Sequence, residues 1–164
     1  MKDQRGAFVK TFHREVFESL GLETRFDEQY FSVSRKNVVR GMHFQIPPAD
    51  HNKLVFCCHG EVLDVLVDLR RNSRTYGLAA SFSLTQDNGS VLYIPRGFAH
   101  GFLTLSDEAI MVYNCETVYR PELDTGILWS SLDFDWPVVE PILSDRDRGF
   151  PSLQTFESPF GEII

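Results

Sequence analysis

The stretch Val62-Leu63-Asp64-Val65-Leu66-Val67-Asp68-Leu69 decides the fold. Its side chains alternate between two faces, as they do along a β-strand. One face is wholly apolar, with Leu63, Val65, Val67 and Leu69. The other face carries two aspartates between apolar residues. The alternation predicts a strand that packs one face on a core and presents the other to something polar.

Strand-like segments continue on both sides of this stretch. We predict them within residues 26–34, 37–45, 54–58, 78–84, 91–94, 98–104 and 109–115. Turn signals such as Asp87-Asn88-Gly89 and Pro95-Arg96-Gly97 separate them, with no helix between. A short helix is predicted over residues 11–20, with Phe12, Val16, Phe17 and Leu20 on one face and Gly21 as its cap. We therefore expect an all-β sandwich or barrel of antiparallel strands, with a few short peripheral helices, as a single domain of residues 1–164.

Composition limits the kinds of function that the chain can have. A net charge of -7 argues against a nucleic-acid-binding protein, because phosphate contacts need clustered Lys and Arg. A small anionic ligand needs only a few local cations. Because the three cysteines are odd in number and Cys57 and Cys58 are neighbours, we expect reduced core residues of a cytoplasmic protein. No window approaches the roughly 18 apolar residues of a membrane-spanning helix.

Two histidines and a tyrosine stand on predicted strands where they could share a pocket. His43 follows an Arg-Gly-Met run, and a histidine is the usual general base near neutral pH. His100 lies between two phenylalanines of its strand face, and Tyr113 is a plausible general acid. Each is also compatible with a structural role, as a hydrogen-bonded histidine at a strand end or a tyrosine in a core.

Nearby charged residues suggest that the pocket binds phosphate. Arg40 stands three residues before His43, and a guanidinium can hold two phosphate oxygens at once. Arg5 and Lys53 are further candidate cations. A carboxylate that accepts the ring N–H of a histidine would fix its tautomer. The residues alone do not choose among three candidates for this role, which are Asp64, Asp68 and Asp147.

A metal site has only partial support. Gly89, Pro95, Gly97 and His100 have the spacing of the second half of the cupin pattern. The first half needs two histidines one residue apart and then a glutamate, and here the matching place reads His43-Phe44-Gln45. A metal would lack ligands. We therefore expect a cupin barrel without a catalytic metal.

Ordered motifs along nearly the whole chain identify a family. They are Arg5-Gly6 and residues 37–45, 53–55, 60–62, 64–65, 67–68, 94–102, 136–137 and 143–144. In these motifs the chain resembles the dTDP-4-dehydrorhamnose 3,5-epimerases of deoxysugar biosynthesis, which supplies O-antigen, lipopolysaccharide and related polysaccharides. The resemblance implies a cupin-type antiparallel jelly-roll barrel, a homodimer, and an isomerase that needs no cofactor.

The resemblance also implies a role for each matching residue. His43 would be the base, Tyr113 the acid, Asp147 the partner of the base, and Lys53 a cation beside the carbonyl oxygen of a 4-ketosugar. The implied substrate-binding residues are Arg5, Lys10, Glu28, Tyr30, Arg40, His100, Tyr119, Asp124 and Arg146. Among them, Arg5 and Arg40 would bind phosphate, and Tyr119 would stack on the nucleotide base. Carbons 3 and 5 are both α to the carbonyl, so loss of either proton gives an enolate whose charge a cation stabilises.

The chain departs from the family where the nucleotide is contacted. Glu28-Gln29-Tyr30 replaces the usual Gln-Asp-Asn, and Lys10 replaces a glutamate. A CDP- or GDP-linked ketosugar therefore stands beside a dTDP-linked one as the expected substrate. Inversion at carbon 3, carbon 5 or both stays open. Two other hypotheses are a metal-dependent cupin enzyme and a non-catalytic module that binds sugar nucleotides.

Overall fold

A computed structural model describes residues 2–161, whose regular secondary structure is mostly antiparallel β-strand. The strands are β1 (Lys2–Asp3), β2 (Gly6–Ala7), β3 (Glu28–Arg35), β4 (Val39–Gln45), β5 (Lys53–His59), β6 (Glu61–Asp68), β7 (Ala79–Thr85), β8 (Val91–Ile94), β9 (Phe98–Thr104), β10 (Glu108–Cys115) and β11 (Asp124–Gly126). The helices are α1 (Arg14–Ser19), α2 (Asp145–Arg148) and a 3₁₀ turn at Trp129–Ser131.

Two sheets form the body of the protein. One has four strands in the order β3-β10-β5-β8, and the other has five in the order β11-β4-β9-β6-β7. Neighbouring strands within both sheets are antiparallel. Strands β1 and β2 form a separate small hairpin. The predicted all-β class and its antiparallel sheets are therefore confirmed.

Strand β6 shows how the two sheets bury their apolar residues. Val62 and Leu66 belong to a core between the sheets, to which the four-stranded sheet contributes Val55 and Met111. The opposite face of β6 lies in a second core with the C-terminal tail. This second core contains Met42, Phe44, Val65, Val67, Leu69, Ala99, Ile127, Leu132 and Phe160. The tail thus covers the outer face of the five-stranded sheet, and the two aspartates of β6, Asp64 and Asp68, are buried on its other face.

The N-terminal segment packs through aromatic rings, and one of them belongs to helix α1. The ring of Phe12 contacts those of Phe17 and Phe26 at centroid distances of 5.0 and 5.6 Å. Helix α1 is shorter than predicted and begins only at Arg14. Val16 and Leu20 are exposed, so the predicted apolar helix face is wrong for these two residues.

The cysteines differ in burial. All three are free, as expected. Cys57 and Cys115 are buried, whereas Cys58 is exposed, because consecutive residues of β5 point to opposite faces. The prediction of a core position was therefore wrong for Cys58.

Candidate active site

A cavity of about 380 Å³ opens between the two sheets. Its lining residues come from both sheets, from the segments that follow β4 and β10, and from helix α2. They are Glu28, Tyr30, Ser32, Arg40, His43, Gln45, His51, Lys53, His100, Gly101, Phe102, Tyr113, Cys115, Tyr119, Asp124 and Arg146. Most of the site residues predicted from the sequence are therefore brought together in one place.

His43 is held by a carboxylate from the tail. Its Nε2 lies 2.8 Å from Oδ1 of Asp147, and Oδ2 of Asp147 accepts the backbone N–H of Gly41 at 3.0 Å. Ser144 caps helix α2 by accepting the backbone N–H of Asp147, which fixes the carboxylate in place. Burial by itself would raise the pKa of Asp147. The hydrogen bonds with His43, with the Gly41 backbone and with the Ser144 side chain lower this pKa overall. The ionised carboxylate therefore faces the imidazole, whose side chain keeps 30% exposure.

His100 forms a second histidine–aspartate pair deeper in the cavity. Its Nε2 lies 2.8 Å from Oδ2 of Asp64 on the neighbouring strand β6. Both side chains are almost completely buried, at 4% and 0% exposure. Burial raises the pKa of Asp64, although His100 and Lys53 oppose this shift. Oδ1 of Asp64 has no hydrogen-bond partner within residues 2–161.

The three candidate carboxylates thus have different hydrogen-bond partners. Asp147 and Asp64 each bind a histidine, as the sequence allowed. Asp68 does not, so this candidate was wrong. Its carboxylate accepts hydrogen bonds from Arg70, Ser73 and Thr75 at 2.6–2.9 Å, which closes the loop after β6.

Tyr113 reaches the cavity from the opposite sheet. Its hydroxyl lies 3.2 Å from the hydroxyl of Ser32. The ring of Tyr30 stacks on the Tyr113 ring with a centroid distance of 4.7 Å and an interplanar angle of 16°, and the ring of His100 meets the Tyr113 ring edge-on at 6.1 Å. Burial raises the pKa of the Tyr113 phenol well above its usual range. The group is therefore a protonated donor in the resting protein.

Lys53 places a cation on the same wall as Tyr113. It begins β5 and pairs in register with Cys115 of β10. Burial lowers the pKa of its ammonium group, while Cys115, Asp124 and Asp64 act in the opposite direction. Such a cation in a partly dry cavity interacts strongly with any negative charge that develops beside it.

Two glycines let the histidine strands approach closely. A Cβ on Gly41 would lie 2.6 Å from Cα of Gly101, and a Cβ on Gly101 would lie 2.7 Å from the carbonyl oxygen of Arg40. Gly41 also has φ of +124°, which L side chains rarely adopt. This approach sets His43 directly opposite His100 in the register of β4 and β9.

The remaining charged residues of the lining are Arg40, Glu28, Asp124 and Arg146. Within residues 2–161, only Asp124 and Arg146 among them form an ion pair. Arg40 donates to the Ser34 hydroxyl at 2.8 Å and to the Val33 carbonyl oxygen at 3.1 Å. Glu28 accepts the backbone N–H of Tyr119 at 2.6 Å.

Two predicted substrate-binding residues lie away from the cavity lining of this chain. Arg5 is exposed in the N-terminal hairpin and forms an ion pair with Asp3 at 2.6 Å. Lys10 is exposed in the segment before α1.

Sequence reasoning missed several residues of the lining. Ser32, Gln45, His51 and Cys115 all face the cavity. The period of two in β3, which places Ser32 on the same face as Glu28 and Tyr30, was an available signal for one of them. Burial lowers the pKa of His51 to about 4, and Thr117 and Gln45 contact its Nδ1 at 2.8 and 3.1 Å.

Two further features of residues 2–161 concern metals and membranes. Within this range no group of three or more His, Cys, Asp or Glu side chains is arranged to hold a metal ion. The helices described there are also too short and too polar to cross a membrane.

Comparisons with known proteins agree with one another. Residues 1–155 match the family model described as dTDP-4-dehydrorhamnose 3,5-epimerase. A protein of that name from Methanothermobacter thermautotrophicus is 45% identical over 157 residues, which cover 93% of this chain and 84% of the relative. A dTDP-4-dehydrorhamnose 3-epimerase from Streptomyces niveus is 39% identical over 149 residues, which cover 89% and 72%.

A solved structure gives the same result for the fold. The dTDP-6-deoxy-D-glucose-3,5-epimerase from Legionella pneumophila, in complex with dTDP-4-keto-L-rhamnose, has a TM-score of 0.89 at 38% identity. The match covers 94% of this chain and 84% of that one. The expected cupin-type barrel is thereby confirmed.

Proposed function

The chain belongs to the dTDP-4-dehydrorhamnose 3,5-epimerase family and is an isomerase-class enzyme, and from this premise we propose its reaction. It inverts carbon 3, carbon 5 or both in a nucleotide-linked 4-keto-6-deoxyhexose. The inversion proceeds by proton removal and return through an enolate, without a cofactor. The dTDP-linked sugar is the reference substrate, because dTDP is the nucleotide in the relatives' names.

The observation that carries this proposal is the position of the two proton-transfer groups on opposite walls of one cavity. His43 belongs to the five-stranded sheet, and Tyr113 belongs to the four-stranded sheet. Both line the same space. A sugar ring between them would present one face to each group, and epimerisation requires removal of a proton from one face and delivery to the other.

The residues supply each step of the reaction. His43, oriented by Asp147, takes the proton from the carbon α to the carbonyl, and the electron pair moves to the carbonyl oxygen. Lys53 stabilises the resulting oxyanion. Tyr113 then donates its phenolic proton to the opposite face of the carbon. Return of the proton from His43 to the tyrosinate, through solvent, restores the resting enzyme.

The rest of the cavity holds the nucleoside diphosphate part of the substrate. Arg40 and Arg146 are the arginines of the lining, and guanidinium groups bind phosphate oxygens in pairs. Binding energy from this remote part of the substrate positions the sugar for proton transfer.

The homodimer expected from the resemblance is part of the proposal. Strand β3 lies at the edge of its sheet, and Phe31 and Val33 are 67% and 46% exposed. Exposed apolar residues on an edge strand favour pairing with a second chain. Analytical ultracentrifugation of the wild type and Phe31→Lys tests the dimer. A dimer that persists in the variant would place the interface elsewhere.

Deuterium uptake from D₂O tests the reaction. The enzyme is incubated with dTDP-4-keto-6-deoxyglucose and, in parallel, with CDP- and GDP-linked ketosugars, and the products are analysed by mass spectrometry and proton NMR. Uptake at carbons 3 and 5 identifies a double epimerase, and uptake at one carbon identifies a mono-epimerase. His43→Asn should abolish exchange while nucleotide binding persists. Absence of exchange with every ketosugar in the wild type would overturn the proposal.

A further inference from the structure

Glu28 is an unusual group on the wall of an anion-binding cavity. The lining holds two carboxylates, and Asp124 is neutralised by its ion pair with Arg146. Glu28 forms no ion pair within residues 2–161, and its one hydrogen bond there comes from the backbone N–H of Tyr119. One oxygen of this carboxylate is thus free to accept further hydrogen bonds from a ligand.

The position of Glu28 assigns it to the nucleoside part of the ligand. Tyr30 pairs in register with Tyr113, the proposed acid, and Glu28 lies two residues farther along the same strand, opposite Cys115. Tyr119 also lines the cavity, beside Glu28. Its half-exposed ring offers a flat surface on which a base can stack. Because the reacting carbons lie between His43 and Tyr113, the part of the cavity beside Tyr119 is left for the nucleoside.

A carboxylate in this place favours particular donors. It repels the diphosphate, and it loses solvation when a ligand covers it, unless the ligand donates hydrogen bonds to it. Guanine presents adjacent N–H donors on its Watson–Crick edge, and ribose presents a 2′,3′-diol, whereas cytosine presents one amino group beside an acceptor nitrogen. Thymine presents a single N–H between two carbonyl oxygens, and 2′-deoxyribose has only one secondary hydroxyl.

We propose that Glu28 selects a nucleoside diphosphate that presents an adjacent pair of hydrogen-bond donors, in preference to dTDP. The pair comes either from the base edge or from the ribose diol. This inference rests on the proposed function, since it describes the nucleoside end of the same cavity. It makes Glu28 a determinant of substrate specificity and leaves proton transfer to other residues.

Calorimetric titration of the purified protein with sugar-free nucleotides tests the inference. The ligands are dTDP, dUDP, UDP, dCDP and dGDP. We expect at least one donor-pair ligand to bind about tenfold more tightly than dTDP, as a bidentate contact can provide. Tighter binding of UDP than of dUDP would identify the ribose diol as the source, and tighter binding of dGDP than of both dTDP and dCDP would identify the base edge.

Two variants separate the contact from a general charge effect. Glu28→Gln keeps the size of the side chain and removes the charge, and it should reduce the preference to within about threefold. Glu122→Gln removes an exposed carboxylate that does not line the cavity, and it should keep the wild-type preference. A wild type that binds dTDP at least as tightly as every other nucleotide would overturn the inference. A preference that persists in Glu28→Gln would also overturn it.

The failure of this inference is distinguishable from that of the proposed function. Nucleotide preference is measured without a sugar and without turnover. Deuterium exchange with dTDP-4-ketosugar alone, together with no preference in binding, would refute the role of Glu28 and leave the epimerase intact. A preference that depends on Glu28, with no exchange in any ketosugar, would support the role and refute the reaction.

Discussion

Replacing Asp147 by Asn should prevent His43 from acting as a base, because it should move the ring proton of His43 from one nitrogen to the other. In the wild type, Oδ1 of Asp147 accepts from Nε2 of His43, and Oδ2 accepts the N–H of Gly41. The Gly41 N–H can only donate, so the amide oxygen of Asn should remain opposite it and the amide NH₂ should face His43. Nε2 must then become an acceptor. The ring proton moves to Nδ1, the nitrogen that would otherwise take the proton of the substrate.

The size of the effect follows from the loss of a general base. A wrong tautomer in a Ser-His-Asp triad lowers kcat by about 10⁴, and general acid–base catalysis contributes about 10² to 10⁴. We therefore expect Asp147→Asn to lower kcat by about 10² to 10⁴, or about 3 to 5 kcal/mol in the barrier. The initial rate of deuterium incorporation at saturating substrate measures this loss, and calorimetry should show nearly unchanged nucleotide binding.

A neighbouring aspartate provides the control. Asp145 lies in the same helix with a fully exposed side chain, so Asp145→Asn removes the same charge without touching His43. It should keep the wild-type rate. If Asp147→Asn were folded and kept kcat within about threefold of the wild type, a loss far below the general-base range, the assignment of His43 as an oriented base would be refuted.

Three further substitutions test the Lys53 cation, the close approach of strands β4 and β9, and the buried carboxylate of Asp68. Burial lowers the pKa of the Lys53 ammonium below 10.5, so turnover should fall at alkaline pH; Lys53→Arg should shift that fall to higher pH in a kcat–pH profile, because a guanidinium stays protonated. Gly101→Ala should lower the free energy of unfolding by about 1 to 3 kcal/mol in urea titrations, because its Cβ would lie 2.7 Å from a backbone oxygen of Arg40. The third substitution concerns Asp68. Burial would raise the pKa of this carboxylate, but the hydrogen bonds that it accepts hold its pKa below 3.8. Its contribution to stability is present above that value and is lost as the pH falls, so Asp68→Asn should reduce the dependence of unfolding on acidic pH.

Each of these outcomes has a clear opposite. An unchanged alkaline limb in Lys53→Arg would assign that ionisation to another group. A Cβ on Gly161 would meet nothing within 4 Å, so Gly161→Ala is the control, and equal stability of the two alanine variants would mean that β4 and β9 can separate. Equal acid sensitivity of Asp68→Asn and the wild type would remove Asp68 as the source.

The strands were predictable because their signal is local. A period of two along β6 is visible in eight residues, and the turns around it carry Gly, Asn and Pro. Strand β11 was missed, since it has only three residues and is defined by its pairing with β4, about 80 residues earlier. The face of α1 was wrong for a related reason, because what covers Val16 depends on the tertiary structure.

The site was predictable where a motif fixed the spacing and not where the partner lay far away. His43 and Arg40 stand in one motif, and both line the cavity. The choice among Asp64, Asp68 and Asp147 depends on which strands are neighbours, and only the family motif indicated Asp147. Glu28 shows the limit of the resemblance, because only the structure shows that its carboxylate lies beside Tyr119 and has no ion-pair partner within residues 2–161.

The two histidine–aspartate pairs explain why the tail matters for chemistry. Both have the same 2.8 Å contact, but the His100 side chain is 4% exposed and the His43 side chain is 30% exposed. The partner of His100 comes from β6, in the same sheet, so that pair forms with the barrel itself. The partner of His43 lies 104 residues later, in a tail whose apolar residues cover the outer face of the sheet. Because the accessible histidine gains its carboxylate only where this tail packs, the packing that completes the second core also orients the proposed base.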